Sequence, residues 1–197
     1  MTSKLVTEAV GPPAPVRGRR GRSYQRIEIT DLQHLGRIAA EDRERFYRKR
    51  PEYRDRLICV ALCQGAGKHF VDMANGFSEP NGVKDLDVWS FFAAIPGERF
   101  PADRRNVGVD FGPSKFGRQE PDQVAPQFRH FVGRNVDLLM RALPVPVGAD
   151  PASALRDYLS EGRTKSAQEL AAKGAVLIEP AVGTVVWPTT ERASRPG

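Results

Sequence analysis

The sequence predicts a mixed α/β (α+β) domain, a small mixed sheet flanked by helices. Three observations carry that expectation. A length of 197 residues with 40% hydrophobic content suits one domain with a single core. Apolar runs of strand length recur in RLICVALCQGAG, VKDLDVWSFFA, NVGVDFG and RNVDLLMRAL. Helical spacing appears before the first run and after the last, and some strands lie too close in sequence for helical crossovers, so antiparallel pairs are expected.

Taken in order, residues 1–25 are rich in Pro, Gly and Arg and read as a flexible basic tail. The run DLQHLGRIAAEDRERFYRKR sets Leu32, Leu35, Ile38, Ala39 and Phe46 at helical spacing, with Thr30 or Asp31 as its cap and Pro51 as its stop. Residues 57–63 are almost continuously apolar and predict a buried strand ended by Gly65 and Gly67. KHFVDMANG reads as turn-rich, with at most a helical turn at its start, and residues 77–82 as loop. In VKDLDVW the alternation predicts a strand that turns Asp85 and Asp87 to one side and Leu86 and Val88 to the other. NVGVDFG and RNVDLLMRAL read as further strands, with Gly112–Pro126 as loop between them. Asp150 before Pro151 predicts a capped helix. Thr164 or Ser166 opens a second one, closed by Gly174, and AVLIEPAVGTVVWP reads as two short strands around a turn. The expected division is the tail, a core over residues 26–149, and C-terminal helices and hairpin over residues 150–197 packed on that core.

No run of eighteen apolar residues occurs, so no transmembrane helix is expected, and the N-terminus MTSKLVTEAVGPPAPV does not read as a secretory signal. Cys59 and Cys63 are the only cysteines; they read as buried thiols, which points to a reducing, cytoplasmic setting. Of the net charge of +6, residues 1–28 supply +4. That imbalance fits either a solubilising tail or nucleic-acid contact through the basic residues within 17–26, chiefly Arg17, Arg19, Arg20 and Arg22.

The chemistry centres on GVKDLDV. Two like charges on one strand face repel, and a divalent cation such as Mg²⁺ relieves the repulsion while bridging substrate phosphates. A third carboxylate on a neighbouring strand would share metal or take a proton. Asp110 and Asp137 both stand in an apolar–Asp–apolar setting, and the order along the chain favours neither. Upstream, Gly65, Ala66 and Gly67 close a buried strand and leave backbone N–H groups open to an anion, with Lys68 and His69 just beyond. Lys84 and Arg105 are candidates for neutralising phosphate, each weighed against an ordinary surface role. Ser114 and Lys115 form a distinctive loop that reads either as lying near a ligand or as common surface. His69 reads better as a structural imidazole, Trp89 and Trp187 as packing residues, and Asp137 as an alternative salt-bridge partner of Arg134 or Arg141.

The series LCQGAG, KDLDVW and then GVDFG or NVDLL resembles the nucleotidyltransferase superfamily of polymerase-beta type, and within it an uncharacterised bacterial group. The likeness spans roughly residues 56–142 and implies a nucleotidyltransferase-like fold. It implies that Gly65 and Ala66, with Gly67, Lys68 and Lys84 nearby, face the nucleotide phosphates. It implies Asp85 and Asp87, with Asp110, as metal ligands, and Asp110 or Asp137 as the third catalytic carboxylate. The substrate would be an NTP, the cofactor Mg²⁺, and the acceptor an unspecified hydroxyl. Where the family has Gly-Ser or Gly-Gly, this chain has Gly65-Ala66, so a non-catalytic relative that binds nucleotide or a partner is the second expectation. Nucleic-acid binding through the tail is the third.

Overall fold

A computed structural model describes residues 25–77, 82–111 and 134–188. The tail up to residue 24, with the Arg-rich cluster at 17–22, and the Ser114–Lys115 loop lie outside the described residues.

Among the described residues are four α-helices and one six-stranded mixed sheet that does not close into a barrel. Helix α1 is Ile29–Lys49, followed by a 3-10 turn at Pro51–Tyr53; strand β1 is Leu57–Cys63 and helix α2 is Gln64–Ala74. Strands β2, β3 and β4 are Leu86–Ala93, Arg104–Val109 and Arg134–Leu143. Helices α3 and α4 are Pro151–Glu161 and Lys165–Ala171, and β5 and β6 are Ala175–Glu179 and Val185–Trp187. The strand order is β3-β4-β2-β1-β5-β6. Only β2 and β4 run parallel; every other neighbouring pair is antiparallel.

Strand β1 reads as an unbroken apolar run because both of its faces are covered. Val60 and Leu62 pack with Leu32, Leu35 and Ala39 of α1 and with Ala66 and Val71 of α2. Cys59, Ala61 and Cys63 pack on the opposite face with Ala154, Leu155 and Leu159 of α3 and Leu170 of α4. A third cluster at the far end of α1 joins Phe46, Tyr53 and Phe92, with Phe46 and Phe92 ring centres 5.4 Å apart. Trp89 and Trp187 are both buried, as their reading as packing residues requires.

Helix ends follow local chemistry. Asp150 accepts the Ser153 N–H at 2.8 Å and Thr164 Oγ1 accepts the Ala167 N–H at 3.1 Å, so both expected caps are present. The start of α1 differs from expectation. Glu28 is the cap, and Asp31 sits in the first turn with its carboxylate accepting the Glu28 N–H at 2.7 Å. A larger difference lies after β1, where the turn-rich reading gives way to an 11-residue helix, α2. Its glycines begin a helix instead of a loop, because Gly67 must lie against another backbone. A Cβ there would come 2.5 Å from the Gly174 oxygen. For the same reason Gly174 does not close α4, which ends at Ala171, but presses on α2.

Strand β5 hydrogen-bonds to β1, so residues 175–187 extend the sheet itself while α3 and α4 cover one face of it. Among the described residues no helix is long and apolar enough to cross a membrane.

Burial raises the Cys59 thiol to about 12 and holds Cys63 well above its ordinary value, where the neighbouring Cys59 and Asp87 add to the effect. Both should therefore be silent towards a thiol-reactive dye at about pH 8, where an exposed thiol would react within minutes. Both should titrate once the protein is unfolded in guanidinium. Rapid reaction of either thiol in the native protein would contradict this packing.

Candidate functional site

The register of the sheet assembles the site. Antiparallel pairing sets Cys63, the last residue of β1, opposite Asp87. Parallel pairing sets Asp87 opposite Asp137. Two aspartates therefore face each other across one strand spacing, about 4.8 Å. Alternation turns both away from Leu86, Val88, Val136 and Leu138, which belong to the core under α1 and α2. Asp85 stands just before β2, outside the strand, and is half-buried where Asp87 is buried. Helix α2 starts immediately after Cys63, so its first turn opens beside Asp87.

These residues line an open cleft of about 510 Å³. Its walls carry Asp85, Asp87 and Asp137 together with Lys68, Lys84, Arg104 and Lys173, and Gln64, Gly65 and Gly82 complete it. Of the residues singled out from sequence, Asp85, Asp87, Asp137, Gly65, Lys68 and Lys84 come together here. Ala66 and Gly67 do not line the cleft: Ala66 is buried in the core, and Gly67 abuts Gly174. Asp110 is exposed and also lies outside it. The reason is register, since Asn106 is opposite Asp137 and four more residues of extended chain carry Asp110 roughly 13 Å further on. Arg105 is occupied elsewhere, on Asp42 at 3.1 Å. His69 is fully buried with its Nε2 2.8 Å from the Gln25 carbonyl oxygen, the structural imidazole expected of it.

Charge in the cleft is unevenly matched. Asp87 is raised from 3.8 to about 7, first by burial and then by Asp85 and Asp137, against the opposing pull of Lys173 and Arg104. This carboxyl therefore keeps its proton well above the pH at which an ordinary carboxylate loses it. Asp137 takes Arg104 Nη2 on its Oδ2 at 2.6 Å, although neither Arg134 nor Arg141 pairs with it. Its other oxygen, Oδ1, is buried and has no hydrogen-bond partner among the described residues. The Gln64 side-chain amide donates to Asp87 Oδ1 at 3.0 Å, and Lys173 Nζ donates to Gln64 Oε1 at 3.3 Å. Gln64 is the one non-glycine among the described residues with a positive φ, 57°. Holding a side chain there costs about 1–3 kcal/mol, a strain that clusters at ligand sites.

Gln64, Arg104 and Lys173 are site residues that the sequence reading missed. Gln64 is signalled by its place directly behind the apolar run. Arg104 becomes visible only through the β3–β4 register, and Lys173 only through the contact of its turn with α2. Behind the cleft, Arg134 is almost completely buried and donates from Nη1 to the Lys84 carbonyl at 3.0 Å, anchoring the segment that carries Asp85. Burial lowers its guanidinium below its usual value to about 10, and Asp85 acts in the opposite direction.

Arginine and glutamine nitrogens, not a ring of acids, are the close neighbours of Asp137 and Asp87. Among the described residues no group of three or more His, Cys, Asp or Glu side chains is gathered closely enough to hold a metal ion as it stands. Asp85, Asp87 and Asp137 offer oxygen donors, the type that a hard dication takes, while Arg104 occupies Asp137 Oδ2 in this arrangement. Comparison of the chain with family models, with curated proteins and with solved structures returned no match.

Proposed function

We propose that this cleft is the active site of a metal-dependent nucleotidyltransferase, which moves an NMP from an NTP to a hydroxyl acceptor. The observation that carries the reading is the register pairing of Asp87 with Asp137, with Asp85 beside them and the first turn of α2 opening on the same cleft. The likeness of LCQGAG, KDLDVW and NVDLL to the polymerase-beta type superfamily supports it. Register favours Asp137 over Asp110 as the third carboxylate.

In this reading Asp85 and Asp87 would hold Mg²⁺, which neutralises triphosphate charge and polarises the phosphorus under attack. Everything else is the work of the chain. Gly65 leaves open space where a side chain would stand, so the backbone N–H groups of the α2 first turn reach the phosphates. Lys84 adds positive charge on the opposite wall. Asp137, whose Oδ2 pairs with Arg104 in the resting cleft, would take the proton that the acceptor hydroxyl releases.

The test is calorimetric titration of ATP, CTP, GTP and UTP with Mg²⁺ into wild type and into Asp87→Asn/Asp137→Asn. Binding to wild type that the double variant loses by tenfold or more is expected. Equal binding by the two proteins overturns the site. Transfer of labelled NMP to protein or to added acceptors then reads the reaction itself.

The Arg104–Asp137 ion pair and the absence of a hydroxyl at Ala66 favour a second reading, a relative that binds nucleotide without transferring it. Nucleotide binding that depends on Asp87 and Asp137, with no transfer to any acceptor, would select this alternative.

A further inference from the structure

The cations of the cleft are not equally committed. Lys68 Nζ lies 2.8 Å from both carboxylate oxygens of Asp72, and Arg104 is held by Asp137. Lys173 differs from both. Its Nζ donates to a neutral acceptor, Gln64 Oε1, at 3.3 Å, and it pairs with no carboxylate among the described residues. An exposed ammonium on a neutral amide gives up little when an anion replaces that amide.

Its position is nonetheless built. Lys173 stands in the turn between α4 and β5, next to Gly174, and that turn is pressed into α2. A Cβ on Gly174 would come 2.7 Å from the Lys68 nitrogen, and one on Gly67 would come 2.5 Å from the Gly174 oxygen. Two side-chain-free residues are what allow the turn to approach the first turn of α2 so closely. Gln64, in its left-handed backbone conformation, uses both ends of its amide: Nε2 on Asp87 and Oε1 for Lys173. A neutral side chain thus separates the ammonium from the acids of the cleft and holds it at the mouth of α2.

We propose that Lys173 binds the terminal phosphate end of a polyphosphate substrate, and that Gln64 is the positioning residue that holds it ready. This rests on the nucleotidyltransferase reading of the cleft and gives the C-terminal segment a place in substrate recognition. On arrival of the polyphosphate, Nζ leaves the amide oxygen for a phosphate oxygen; no bond other than a hydrogen bond changes. Lys173 then also stabilises the pyrophosphate as it departs.

The experiment titrates inorganic pyrophosphate and tripolyphosphate into full-length wild type, Lys173→Met and Lys173→Arg, with Mg²⁺ and with EDTA. Mn²⁺ alone is titrated in parallel by electron paramagnetic resonance. Lys173→Met should weaken pyrophosphate binding about tenfold, as loss of one charged hydrogen bond does. Lys173→Arg should restore most of it. Mn²⁺ affinity and melting temperature should be the same in all three proteins. Gln64→Glu should also weaken pyrophosphate by tying up the ammonium, and that loss should shrink in the Lys173→Met background. Equal pyrophosphate affinity in wild type and Lys173→Met, or no measurable binding by wild type, overturns the proposal. Failure of the metal reading looks different: Mn²⁺ binding is then indifferent to Asp87→Asn/Asp137→Asn, while the Lys173 effect persists in EDTA.

Discussion

Asp87→Asn is expected to stabilise the protein at about pH 8 and to leave it unchanged near pH 4. The sign follows from the direction of the shift. The folded carboxyl sits at about 7 and its ordinary value is 3.8. Below 3.8 both folded and unfolded chains carry the proton and the group costs nothing. As pH rises the unfolded chain gives up its proton first, so stability is lost between the two values and the full penalty stands above 7. At 1.36 kcal/mol per pH unit the penalty reaches about 4 kcal/mol. Asparagine has no proton to lose there and can still accept from the Gln64 amide. Urea unfolding of both proteins across this range is the measurement. A constant offset between wild type and variant at every pH would mean that Asp87 is not held protonated. Together with the expected loss of metal-dependent nucleotide binding, a gain in stability would mark Asp87 as a residue kept at the expense of the fold, as sites of preorganised charge are.

Gly67→Ala should be the most damaging single methyl in α2. In an exposed helix interior the change from glycine to alanine stabilises by about 1 kcal/mol. Here the added Cβ would meet backbone on two sides, 2.5 Å from the Gly174 oxygen and 2.9 Å from the Leu62 oxygen. Neither neighbour is a side chain that can rotate away, so the overpacking term wins. A net loss of about 3 kcal/mol is expected, read from the urea midpoint. Gly65→Ala is the control in the same turn, since nothing lies within 4 Å of its Cβ. It should keep or slightly raise stability yet weaken nucleotide binding, because the added methyl stands in the cleft. Equal stability of Gly67→Ala and Gly65→Ala would remove the close approach of α2 to the α4–β5 turn, and with it the placement of Lys173.

Where local chemistry suffices, sequence foretold structure closely. The caps at Asp150 and Thr164 follow from side-chain oxygens adjacent to the N–H groups they accept. Strand β1 follows from its apolar run, and the turning of Asp87 away from Leu86 and Val88 from alternation alone. The choice between Asp110 and Asp137 was not legible, because both have the same neighbours and only the β2–β4 register distinguishes them. Helix α2 was misread because QGAG has the composition of a turn; the reason for Gly67 is Gly174, far along the chain. Lys173 and Arg104 belong to the cleft through tertiary approach and carry no local signal at all. Asp85 was expected within the strand beside Asp87, but β2 begins one residue later, and the buried Arg134 holds its segment instead.

The pairing of β5 with β1 makes β1 interior to the sheet, and this constrains how the chain can be divided. A fragment ending at residue 149 would expose the whole backbone edge of β1 and, beside it, the uncovered Cys59, Ala61 and Cys63. Such an edge is apolar and uncharged, the template on which chains recruit one another into aggregates. The strands that carry Asp87 and Asp137 therefore cannot be produced as an autonomous half; truncation from the C-terminus converts the centre of the sheet into its stickiest border.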